Sequence, residues 1–135
     1  MIRALVIAAL CTIGLGAAVA QPTQTSEMKF ACDYLEIDCT GIERPSVIVT
    51  KLMGAFGVYG AYYGGEKTVF LDPDAPDHTY IHELTHYLLW EVSNGAVKGC
   101  ASEEAARRVH HAWEGTEYDD SWRGRYGCQA PAESE

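Results

Sequence analysis

The chain reads as a small α+β domain: a small antiparallel or mixed sheet packed on two helices. Three observations predict this. Short β-branched and aromatic runs, separated by glycine and proline signals, fill the first half. Two stretches with apolar residues at spacings of three and four fill the second. Cysteines flank both halves in a number that allows covalent staples.

The N-terminus is set apart first. Met1-Ile2-Arg3 carries one positive charge, residues 4–20 are apolar or small, and the stretch ends in Ala18-Val19-Ala20. That layout predicts a secretory signal peptide over residues 1–20, cleaved after Ala20. An uncleaved anchor is the competing reading. The 17-residue stretch, broken by Gly14 and Gly16, is short for a membrane span. Residues 21–135 then form one domain of 115 residues, enough for a modest core that staples would help. A secreted or periplasmic location follows, with no stable membrane association once the signal is removed.

Four cysteines remain after Ala20: Cys32, Cys39, Cys100 and Cys128. An even number in an exported chain predicts two disulfides. Three pairings are possible; Cys32–Cys39 and Cys100–Cys128 are preferred because each closes a local loop. No C-x-x-C pair is present, which disfavours a cysteine-metal site. Without Arg3, nine Lys and Arg face 19 Asp and Glu, a formal charge of −10. Nucleic acid is therefore not an expected partner, since phosphate binding needs a basic patch.

Residues 21–27 are polar and read as a leader, and residues 28–39 as a short helix or turn clipped by cysteines. Pro45 introduces Ser46–Thr50, a β-branched strand. Residues 54–65 mix glycine and aromatics and read as strand with bends. Gly64-Gly65 is a hairpin signal, and Thr68–Leu71 is the next strand, ended by Pro73 and Pro76. Asp77 is an N-cap candidate for a helix whose stripe is Ile81, Leu84, Leu88 and Val92, stopped at Asn94-Gly95. A second helix is expected from about Ser102, its N-cap candidate, with a narrow face of Ala101, Ala105, Val109, Ala112 and Trp113. The tail from Gly115 reads as irregular, packed by Tyr118, Trp122 and Tyr126 and by a disulfide.

The chemistry concentrates in His82-Glu83-Leu84-Thr85-His86. On a helix, residues four apart leave the same face. Two imidazoles can then reach one metal ion, while Glu83, rotated by about 100° from His82, sits beside it. A carboxylate there can take a proton from metal-bound water and pass it to a leaving amine. A catalytic zinc needs a third protein ligand. The candidates are Glu91, which points away at 140° by helical spacing, and Glu103, Glu104, His110 and His111 on a helix that folds back.

On these residues, and on Glu103-Glu104-Ala105-Ala106, the chain resembles the gluzincin group of zinc metallopeptidases. The resemblance implies a minimal zincin-like fold, bound Zn2+, a peptide or protein substrate, His82 and His86 as ligands and Glu83 as general base. The third-ligand role falls on Glu104 ahead of Glu103. Glu104 precedes an Ala, as in small members of the group, and lies nearer the apolar face expected to pack on the first helix. The donor that would hold a developing oxyanion stays open among Tyr118, Tyr126, His110 and His111. Thr68–Leu71 is expected at the sheet edge beside the metal, where an extended peptide could add as a strand. The alternative is a zinc-binding module that is not a peptidase: a cell-wall hydrolase, a metal store or a partner-binding pseudoenzyme.

Overall fold

The computed structural model describes residues 24–130. The signal-peptide reading of residues 1–20 lies outside them. Eight elements follow in order: α1 (Ser26–Leu35), β1 (Ser46–Val49), α2 (Met53–Phe56), β2 (Gly60–Tyr62), β3 (Thr68–Leu71), α3 (His78–Ser93), α4 (Cys100–Glu114) and α5 (Trp122–Tyr126). The domain is a small α+β fold with a three-stranded mixed sheet in the order β1-β3-β2.

β1 runs parallel to β3, with Val47 opposite Val69. β2 runs antiparallel to β3, with Ala61 opposite Phe70. The strand at Thr68–Leu71 is therefore central, not the edge expected from sequence. Among the described residues the free edge beside α3 is β2. A strand cannot be ranked within its sheet from its own residues, because both central and edge strands of so small a sheet are apolar.

The segment 54–65 also departs from a continuous strand. Asp72 accepts hydrogen bonds from the backbone N–H of Leu52 and Met53, at 2.7 and 2.9 Å. These satisfy the orphan donors of a single helical turn, α2, which Gly57 ends in the left-handed region at φ +68°. The cap comes from 20 residues away and leaves no local signature.

One sheet face packs on α3 through Val69, which is fully buried with Ile81, Leu84, Tyr87 and Leu88. α1 covers α3 and α4 with Met28 and Ala31. Helix α3 starts beside Asp77, whose side chain makes no capping bond, and stops at Asn94 in the left-handed region. Helix α4 starts at Cys100, earlier than Ser102, so Ser102 lies inside the helix and is buried. Its buried face is Ser102, Ala106, Val109 and His110. The face expected on Ala101 and Ala105 is rotated from this by about one residue, or about 100°.

Both disulfides are formed as local loop closure predicts, Cys32–Cys39 and Cys100–Cys128. The second ties the start of α4 to the end of α5, where Trp122 is buried. Among the described residues no helix is long and apolar enough to cross a membrane.

Candidate metal centre

Helices α3 and α4 run antiparallel. His78, His82 and His86 meet Glu114, His110 and Ser102 respectively, so α3 ascends as α4 descends. The apolar stripe of α3 goes down into the core, which turns His82 and His86 to its rim. There both imidazoles are mostly covered but still reach the cleft.

Three donor atoms converge at that rim. His82 Nε2 and His86 Nε2 are 3.2 Å apart. Glu103 Oε2 lies 3.5 Å from the first and 3.2 Å from the second. His82, His86 and Glu103 are the one group of three or more such side chains among the described residues that could hold a metal ion.

Glu104 is not in this group. Its carboxylate accepts from Tyr118 Oη, Arg108 Nε and Arg123 Nη2, on the side of α4 turned toward α5. The choice of Glu104 over Glu103 as the helix residue facing the histidines is thus corrected by one position. The cause is the phase of α4: with Ser102, Ala106 and Val109 inward, residue 103 borders α3 and residue 104 does not.

Each of the three donors has a partner on its far side, and all three partners come from α4. Ser102 Oγ lies 2.6 Å from His86 Nδ1. Arg107 Nε donates to Glu103 Oε1 at 2.6 Å, with its guanidinium over the Trp122 and Tyr126 rings. His110 Nδ1 lies 3.0 Å from His82 Nδ1. Sequence reading missed Ser102 and Arg107. Arg107 carries one signal, its i,i+4 spacing from Glu103; Ser102 reads from sequence as a cap.

Glu83 sits beside the three donors, buried, under the edge strand β2. A Cβ on Gly60 would lie 2.7 Å from Glu83 Cγ and 2.9 Å from its Oε1. Only glycine lets the strand approach the carboxyl this closely. Burial pushes the Glu83 carboxyl up to about 7, with nearby His86 opposing and Glu103 adding to the rise. Burial works the same way on Glu103, but hydrogen bonds and attraction from His82 and His86 outweigh it and hold that carboxyl well below the usual range. Burial lowers His82, and it lowers His110 to about 3 with help from His82, His111 and His78.

These groups line one cleft of about 760 Å³, walled beyond His86 by Trp90 and Val97 and on the α5 side by Tyr126. Of the four open candidates for an oxyanion donor, Tyr118 is engaged with Glu104 and His111 with Thr116. His110 and Tyr126 reach the cleft. Glu91, on the next turn of α3, is not among the residues lining it. Chemically the arrangement offers a three-donor pocket for a cation and, beside it, a buried carboxyl that could carry a proton. No protein family, curated protein or solved structure matches the chain.

Proposed function

We propose that the chain is an exported zinc-dependent peptidase whose metal is held by His82, His86 and Glu103. The carrying observation is the triangle of donor atoms, with sides of 3.2, 3.2 and 3.5 Å. Zinc arms of about 2.0–2.1 Å at tetrahedral angles set donors about 3.3 Å apart. Two neutral imidazoles and one carboxylate also match the donor chemistry of catalytic zinc, which leaves a fourth position open. When bound, zinc would supply a Lewis acid that polarises a carbonyl and makes water a nucleophile near neutral pH.

The rest falls to the chain's own side chains. Glu83 is the proton carrier: its carboxyl, buried beside the three donors, can accept a proton as base and return it to a departing amine. A mere metal store has no use for such a group. Arg107, Ser102 and His110 hold the donors in place. β2 presents a free edge above Glu83, where an extended peptide can add as a strand. Export is supported by the sequence of residues 1–20 and by two disulfides, which persist in oxidising compartments.

The test is zinc content and peptide turnover for three variants. Glu83→Gln should keep its zinc and lose at least about 100-fold in hydrolysis of a mixed peptide library. Glu103→Gln should lose zinc and activity together, and Glu104→Gln should keep its zinc. Stoichiometric zinc in Glu103→Gln would overturn the ligand set. Zinc binding with no turnover on any peptide would move the reading to a non-peptidase module.

A further inference from the structure

The geometry points to His110 as the positioning residue that sets the tautomer and orientation of the His82 ring, an inference that rests on the zinc reading above. His82 turns Nε2 toward His86 and Glu103, and turns Nδ1 toward His110. The two Nδ1 atoms are 3.0 Å apart, a distance at which one proton lies between them. A metal on His82 Nε2 needs that nitrogen's lone pair, so the His82 proton sits on Nδ1. His110 Nδ1 must then be the bare acceptor, and the His110 proton is driven to Nε2. The one hydrogen bond of the His110 ring among the described residues is through Nδ1, which leaves Nε2 without a protein partner there, on a side chain that lines the cleft.

His110 is built to hold this position. It is 7 % exposed. Its ring stacks on His78 at 4.7 Å between centroids, and His78 is fixed in turn by Glu114 at 2.8 Å. It follows Glu103 by seven residues, two helical turns, so the α4 face that brings the carboxylate to the cleft brings His110 with it. Ser102 meets the matching nitrogen of His86 at 2.6 Å. His82 has no other hydrogen-bond partner on its Nδ1 side among the described residues. Loss of His110 therefore frees the ring to rotate and its proton to move to the nitrogen that the metal requires.

Two measurements on the full, disulfide-intact chain test this. In the zinc-loaded protein, imidazole ¹⁵N spectra should show His82 protonated at Nδ1 and metal-bound at Nε2, with His110 protonated at Nε2. Zinc affinity, read by competition with a chelator, should fall about 10- to 100-fold in His110→Phe, which keeps a ring and loses the acceptor. His110→Asn, whose Oδ1 stands where Nδ1 stood, should bind within about threefold of wild type, far inside the range for losing such a partner. Wild-type affinity in His110→Phe, equal losses in both variants, or zinc on His82 Nδ1 would each overturn the assignment. If His110→Phe fails to fold by circular dichroism, the wild-type spectra decide alone. A wild-type chain that takes up no zinc would instead overturn the metal reading itself, and this role with it.

Discussion

Replacing Gly60 with Ala adds one methyl group where β2 lies against Glu83. It would meet Thr79 Cγ2 at 2.6 Å, Glu83 Cγ at 2.7 Å and Glu83 Oε1 at 2.9 Å, where ordinary contact begins at 3.4 Å. Glu83 can swing its carboxyl aside, but Thr79 is β-branched, buried and stiff. The strand must then retreat by about 0.8 Å, or the carboxyl must leave its place, or both. Overpacking of this kind costs about 1–3 kcal/mol. For a domain of this size that lowers the melting temperature by roughly 4–20 °C. A carboxyl displaced by about 1 Å loses about 100-fold in turnover. Zinc content should stay near wild type, since neither Thr79 nor Glu83 is a proposed ligand. Gly64→Ala is the control. Its Cβ would strike the Trp90 ring at 2.4 Å, one turn beyond His86, so it should destabilise comparably while leaving Glu83 in place. Thermal melting, zinc content and turnover on both variants give the comparison. Unchanged melting and turnover within threefold of wild type in Gly60→Ala would refute the claim that β2 presses on Glu83.

Two further outcomes follow from burial and from loop length. The Glu83 carboxyl is raised from 4.5 to about 7 in the folded chain, so its contribution is fully present below pH 4.5 and lost as pH rises through 7. In metal-free protein, Glu83→Gln should therefore be more stable than wild type by up to about 3 kcal/mol at pH 8, with the gain gone near pH 4; denaturant titration at both pH values would show it, and a pH-independent difference would remove burial as the cause. Replacing Cys100 and Cys128 by Ser opens a 28-residue separation and should cost about 3.5 kcal/mol, against about 2.5 for Cys32 and Cys39 at a separation of 7. The first loss should also weaken zinc binding, because Cys100 opens α4 three residues before Glu103; the reverse order in denaturant melts would contradict the loop argument.

How much could be read from residues alone divides along a physical line. Ile81, Leu84 and Leu88 repeat with helical period, Asn94-Gly95 stops the repeat, and α3 ends there. Those signals are local, and so is the loop arithmetic that pairs the cysteines. The phase of α4 is not local. Its sequence is rich in Ala, and Ala makes a weak stripe: Ala101, Ala105 and Ala112 compete with Ala106 for the inward side. What decides the phase is Ser102 and His110, two polar residues buried because histidines on α3 receive them. Polar residues inside a helix are read from sequence as surface or cap, so the expected face falls one residue off and ranks Glu104 ahead of Glu103. The place of β3 at the sheet centre and the cap on α2 fail for the same reason. Both are fixed by partners some 20 residues distant in the chain.

That the far-side partners of all three donors lie on one helix has an energetic consequence. Ser102 and His110 can meet the α3 imidazoles, and Glu103 with Arg107 behind it can face them, only while α4 is docked on α3, and α4 has few large apolar side chains with which to dock. Val109 and Ala106 are its fully buried apolar contacts. The docking therefore leans on the Cys100–Cys128 tether and on Arg107 laid over Trp122 and Tyr126. A cation held between α3 and Glu103 would bridge the same two helices. Its binding free energy would add directly to the docking of α4, because undocking separates the donors. In a domain with this modest a core, the pocket and the fold are then stabilised by the same contacts. Whatever loosens α4 weakens the pocket, and whatever fills the pocket stiffens α4.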